Sequence, residues 1–150
     1  MKHWIESAQR DDAARGVIWP TIDPEHMAKC GATWHIFPNF KVIQLPTTAL
    51  CYNFRPHGYD PDKCVFDVIA LEKYPEGQAP ATEWVHSPLG DPGWLTVLPQ
   101  DFSNMEAVQQ GMKSLGFKGP RPTPVQENVV SNLHRNLAAY MGTDGPRPLK

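Results

Sequence analysis

This sequence of 150 residues has no long apolar run, little net charge and few cysteines. No stretch approaches the roughly 20 apolar residues that a membrane-spanning helix requires. The formal net charge of −2 provides no basic field for nucleic acid or for an anionic membrane surface. These absences argue against nucleic-acid and membrane proteins. We expect a globular protein in the cytoplasm, because the first residues also lack the apolar core of a signal peptide.

The cysteines do not have the spacing of a metal-binding motif. They are Cys30, Cys51 and Cys64, and such a small, odd number favours reduced thiols in a reducing compartment. Cys51 and Cys64 fall in predicted strands, where each is expected to be a small buried apolar residue. The sixteen prolines, by contrast, are many, and they limit the length of every helix and strand.

Four runs of residues with strand-like patterns follow one another after Ala32. They predict strands over 33–37, 40–45, 50–55 and 64–71. The fourth run has apolar residues on both faces, which is typical of a central strand covered on each side. Turn-forming residues separate the third run from the fourth, so the pattern predicts an antiparallel meander.

Helical patterns occupy the last third of the sequence. One helix is predicted over 102–115, with Asp101 as its N-cap, because apolar residues recur there at helical spacing. A second helix is predicted to begin at Thr123, with Gln126 completing a capping box, and to end at Gly142. A sheet followed by helices that pack against it is an α+β arrangement.

Residues 1–31 show no sustained period apart from a short predicted helix over 24–29. We interpret 1–31 as an irregular lead-in and place the domain proper at 32–150.

Three stretches, read together, resemble the C-terminal portion of the catalytic α subunit of Rieske-type aromatic ring-hydroxylating dioxygenases. The first is His35-Ile36-Phe37-Pro38-Asn39. The second runs from Asn53-Phe54-Arg55-Pro56 to Glu72-Lys73-Tyr74-Pro75-Glu76-Gly77. The third is QDFSNMEAVQQGMKS at 100–114, followed by Gln126-Glu127 and His134-Arg135-Asn136-Leu137. The resemblance covers residues 30–142. It implies a partial helix-grip domain (START/Bet v1-like), in which an antiparallel sheet wraps around a C-terminal helix.

The resemblance also implies an activity and its cofactors. Members of this family hydroxylate aromatic or apolar substrates with O2, using electrons from NAD(P)H that pass through a reductase or ferredoxin. A Rieske 2Fe-2S cluster in a neighbouring subunit of a trimer delivers them to a mononuclear non-haem Fe(II), held by two histidines and a carboxylate. The matching carboxylate here is Asp101, and the resemblance places Phe37, Asn39 and Met105 at the substrate pocket. From its spacing alone, Asp101 is better explained as a helix cap, and only the matching stretch favours iron ligation.

The sequence departs from the family pattern in its histidines and cysteines. No two of its six histidines lie four or five residues apart, so the family's Asp-x-x-His-x-x-x-x-His motif is absent. No Cys-x-His or Cys-x-x-His pair is present to hold a Rieske cluster. We therefore expect a truncated or split α subunit that supplies one of three iron ligands and is inactive alone. The alternative is an iron-free helix-grip module that binds an apolar ligand or a partner subunit.

Overall fold

The computed structural model describes residues 2–94 and 96–145. The chain divides into two compact units, one comprising Met1–Pro80 with Thr123–Lys150 and the other Ala81–Pro122. The elements in chain order are α1 (Lys2–Ala14), α2 (Pro24–Cys30), β1 (Thr33–Ile36), β2 (Phe40–Gln44), β3 (Thr48–Pro56), β4 (Cys64–Glu72), α3 (Val97–Phe102), α4 (Met105–Gly111) and α5 (Asn128–Met141). No helix in this described part has the length and apolar character needed to cross a membrane.

The four strands form one antiparallel sheet in the order β1-β2-β3-β4. This confirms the predicted meander, and each strand lies within about two residues of its predicted limits because alternation marks a strand directly. The turn from β1 to β2 contains a cis peptide bond between Phe37 and Pro38. Asn39 in the same turn donates from Nδ2 to the carbonyl of Phe54 at 2.6 Å, which fixes the turn against β3.

The position of β4 differs from the prediction. Apolar residues on both faces predict a central strand, but β4 is an edge strand, because within 2–94 and 96–145 only β3 pairs with it. Its exposure rises towards its end, where Leu71 is more than half exposed.

Few of the apolar side chains that the structure describes are buried. In the first unit they are Val17 and Cys51, at 2% and 4% exposure, and in the second unit Leu98 is buried. Cys51 lies in the middle of β3, between β2 and β4, so its predicted role is confirmed. The same prediction for Cys64 is wrong, because Cys64 begins the edge strand and its thiol is exposed.

The N-terminal segment is less irregular than predicted, because it contains the unpredicted helix α1. The short helix predicted over 24–29 is confirmed by α2. The end of α1 is attached to the sheet through Asp12. Its carboxylate accepts hydrogen bonds from Arg15, from Trp19 Nε1 at 2.7 Å and from Thr47 Oγ1 at 3.2 Å. The N–H of Val17 also donates to the Asp12 carbonyl at 2.9 Å. The apolar residues of α1 do not recur at helical spacing in the sequence. They remain exposed, so no face of this helix has to be apolar in order to pack against a core.

The single helix predicted over 102–115 is wrong, because the structure has α3 and α4 in its place. Ser103 lies between them and its hydroxyl donates to the carbonyl of Gln100 at 2.8 Å, a local bond that competes with helix continuation. Asp101 is consequently the penultimate residue of α3, not a cap.

The last helix, α5, begins at Asn128, later than predicted. The predicted capping partner of Thr123 is Gln126, but the structure has Glu127 in this role. The backbone N–H of Thr123 donates a hydrogen bond to the Glu127 carboxylate at 2.6 Å. The predicted end is confirmed, because Gly142 adopts the left-handed conformation and donates to the last carbonyls.

Candidate functional site

A groove of about 370 Å³ lies in the first unit. The turn between β1 and β2 forms one side, the end of β3 and the start of β4 form another, and α5 contributes a single residue. Its lining residues are Pro38, Asn39, Phe54, Arg55, Pro56, Cys64 and Leu137.

The ring of Phe54 lines the groove, and further aromatic rings pack against it or lie near other lining residues in the sequence. Phe54 and Phe66 face each other in the β3–β4 register and stack at 4.8 Å between centroids, with Tyr52 5.5 Å from Phe66. Near the other side, Phe37 and Tyr140 meet edge to face at 5.7 Å. Stacked and edge-to-face rings provide a surface that suits flat apolar molecules.

Among the described residues that line the groove, Arg55 alone is cationic, and its charge is compensated. The guanidinium donates from Nε and Nη2 to Asp67 Oδ2, at 3.1 and 2.8 Å. Asn53 donates to the same oxygen at 3.4 Å. Because this guanidinium is already paired, the groove has little charge to offer an anionic ligand and favours an apolar one.

His35 lies on β1 opposite Lys41. Partial burial, followed by the nearby Lys41 ammonium, lowers the pKa of the His35 imidazole. A neutral imidazole could in principle bind a metal, but a single histidine does not hold one.

Asp101 and Met105 lie in the second unit, in α3 and α4, whereas Phe37 and Asn39 lie in the first. The Asp101 side chain is exposed, and no described residue bonds to it. Nowhere in the described residues do three His, Cys, Asp or Glu side chains gather as a metal site would require. These residues therefore do not fit a complete iron site, and Asp101 offers one carboxylate only.

The structure brings Phe37 and Asn39 together at the turn that borders the groove. Sequence reasoning did not select Phe54, Cys64 or Leu137, which line it. The alternation of β3 marks the face on which Phe54 lies, but only the pairing of β3 with β4 shows that its neighbours leave a groove.

A comparison with protein-family models matches residues 2–143 to the ring hydroxylating alpha subunit (catalytic domain). Searches of curated proteins and of solved structures gave no significant match. The match covers most of the chain, including the segment 2–31, and the antiparallel sheet with its helices is consistent with the helix-grip, α+β fold of that domain. The chain therefore belongs to the family of ring-hydroxylating α-subunit catalytic domains.

Proposed function

We propose that this chain is the C-terminal segment of a non-haem iron oxygenase that hydroxylates aromatic or apolar substrates with O2. The observation that carries the proposal is the apolar groove beside stacked aromatic rings, in a chain that the family match covers from residue 2 to residue 143. Such a groove would orient a flat substrate and exclude water from it, while the metal centre supplies the oxidation chemistry.

In this proposal Asp101 provides the carboxylate ligand of Fe(II), and Phe37, Asn39 and Met105 contact substrate. The two nitrogen ligands and the Rieske 2Fe-2S cluster come from polypeptide outside these 150 residues, in a trimeric assembly that receives electrons from NAD(P)H through a ferredoxin or reductase. The chain alone does not turn over, because a stable metal site needs several preorganised ligands. Three cysteines without a disulfide suit the cytoplasm, where we place the complete enzyme.

An anaerobic titration with Fe(II), followed by calorimetry, tests the role of Asp101. We expect weak binding by the unmodified chain, strengthened by added imidazole because imidazole supplies the nitrogen ligands that are missing. Asp101→Ala should abolish both the binding and the response to imidazole.

The matched control is Glu106→Ala, which removes another exposed carboxylate from the same unit. This variant should bind Fe(II) as the unmodified chain does. Identical titrations for the unmodified chain and Asp101→Ala would remove the proposed metal role of this segment.

The second candidate function is an iron-free module that binds an apolar ligand. The groove favours it, since all of its lining residues belong to the unit that does not contain Asp101. The titration separates the two candidates, because an iron-free module requires neither Fe(II) nor Asp101.

A further inference from the structure

The side-chain amide of Asn39 has a fixed orientation at the groove. Its Nδ2 donates to the backbone carbonyl of Phe54 at 2.6 Å, and the N–H of Phe54 donates to the backbone carbonyl of Asn39 at 3.0 Å. A carbonyl oxygen only accepts hydrogen bonds. Turning the amide over would therefore replace a hydrogen bond with a repulsion between two acceptors.

Asn39 also lines the groove, beside Phe54. Its nitrogen is held against the backbone of β3, and Oδ1 is the other end of the amide. The polar atom that this side chain offers to a ligand is therefore Oδ1, which is an acceptor. The hydrogen bond to β3 thus gives the groove a polarity that an unattached asparagine would not have.

Among the described residues that line the groove, none provides a strong competing donor. The two prolines have no backbone N–H and contribute carbonyl acceptors only. Arg55 follows Phe54 on β3, so its side chain leaves the opposite face of the strand, where it bonds to Asp67. The Cys64 thiol is a weak donor and a weak acceptor.

We propose that Oδ1 of Asn39 selects, among flat apolar molecules, those that carry a hydrogen-bond donor on the ring, namely phenols and aromatic amines. This inference rests on the proposed function, in which the groove holds an aromatic substrate, and it names the class of that substrate. The ring lies against the apolar lining, and its hydroxyl or amino group donates to Oδ1. A ligand without a donor removes water from Oδ1 and does not replace its hydrogen bond.

This selection has the opposite sign to that of an apolar surface alone. A hydroxyl makes an aromatic molecule more polar, and burying that group without a partner costs free energy. A groove without a positioned acceptor should therefore bind 2-naphthol more weakly than naphthalene. With Oδ1 as the acceptor, 2-naphthol should bind about fivefold more tightly than naphthalene, which corresponds to a net hydrogen bond of about 1 kcal/mol.

Equilibrium dialysis of the full chain measures these affinities. The experiment is done at neutral pH, at which a phenolic hydroxyl keeps its proton. The ligands are naphthalene, 2-naphthol and 2-methoxynaphthalene, whose ether oxygen accepts a hydrogen bond but cannot donate one. We expect 2-naphthol to bind most tightly and 2-methoxynaphthalene to bind no more tightly than naphthalene. This comparison uses the unmodified chain, so it does not depend on the folding of a variant.

Asn39→Leu assigns the preference to the amide. Leucine is similar in size but has no polar side-chain atom, so this variant should still bind naphthalene and should lose the preference for 2-naphthol. The matched control is Asn53→Leu, which removes an amide that is bonded to Asp67 on the other face of β3. It should keep the preference. If Asn39→Leu does not fold, the order of the three ligands on the unmodified chain still decides the proposal.

The results that would overturn this inference differ from those that would overturn the proposed function. Equal or weaker binding of 2-naphthol, or a preference that survives in Asn39→Leu, would exclude selection by Asn39 and leave a groove that binds aromatic molecules. Absence of naphthalene binding, or affinities that Leu137→Gln does not change for any of the three ligands, would mean that the groove is not their site. The proposed role of the groove and the inference would then fail together.

Discussion

Asp12 is the residue through which α1 holds the sheet. Hydrogen bonds from Arg15, then from Trp19, hold the pKa of the Asp12 carboxyl below its ordinary value. Arg15 extends the network to Glu72 at the end of β4, at 3.3 Å. The pKa of Tyr74 is raised by its hydrogen bond to the same Glu72 carboxylate. The contacts of Asp12 with Trp19 and with Thr47, and the position of Arg15 beside Glu72, therefore depend on Asp12 remaining ionised.

This predicts how stability varies with pH. Since the pKa of Asp12 is lower in the folded state, its contribution is present above the ordinary aspartate value of about 3.9 and is lost as the pH falls through the lower folded value. Asp12→Asn should lower the melting temperature at neutral pH and reduce the further loss on acidification. Thermal unfolding followed by circular dichroism over this pH range measures both effects.

The control is Asp11→Asn, which removes an exposed carboxylate one residue earlier in α1. It should leave both the melting temperature and its pH dependence nearly unchanged. If the two variants behave alike, the attachment of α1 does not depend on the Asp12 network.

At the scale of elements, α5 contributes to the groove through Leu137. We expect Leu137→Gln to weaken the binding of naphthalene, a flat apolar probe, by about tenfold, because losing most of the burial of a leucine costs about 1.5 kcal/mol. Val129→Gln is the control, on the same helix and also exposed, but not a lining residue. Chemical shifts of the Asn39 side-chain amide report binding at the groove. Equal affinities for the two variants would place the ligand elsewhere.

The strands were predictable and the helices only partly so, for a physical reason. A strand shows its two faces at a period of two residues, which nine residues such as those of β3 display several times. The break between α3 and α4 depends on the hydroxyl of Ser103, which donates to the carbonyl of Gln100. The spacing of apolar residues in the sequence does not reveal such a hydrogen bond. α1 was missed because its apolar residues, such as Trp4, remain exposed.

At the scale of the whole molecule, the sequence was sufficient to identify the family. It did not show which residues come into contact to form the candidate site. Asp101 could be selected because it lies within a recognisable stretch. The groove residues Phe54, Cys64 and Leu137 come from β3, β4 and α5, and their proximity is a product of folding that no local pattern contains. The other ligands of the proposed iron site could not be predicted at all, since no residue of this sequence matches the family's two histidines.

The small number of buried side chains predicts marginal stability, and Cys51 can report it. Cys30 and Cys64 are exposed and should react at once with a thiol reagent, whereas Cys51 is enclosed at the centre of the sheet. With Cys30 and Cys64 replaced by serine, labelling of Cys51 requires the sheet to open. We expect measurable labelling under native conditions and a thermal transition below about 65 °C, within or below the usual mesophile range. A Cys51 thiol that stays unlabelled until a sharp transition well above that temperature would contradict this, and would mean that the exposed apolar surface, β4 included, is covered in solution.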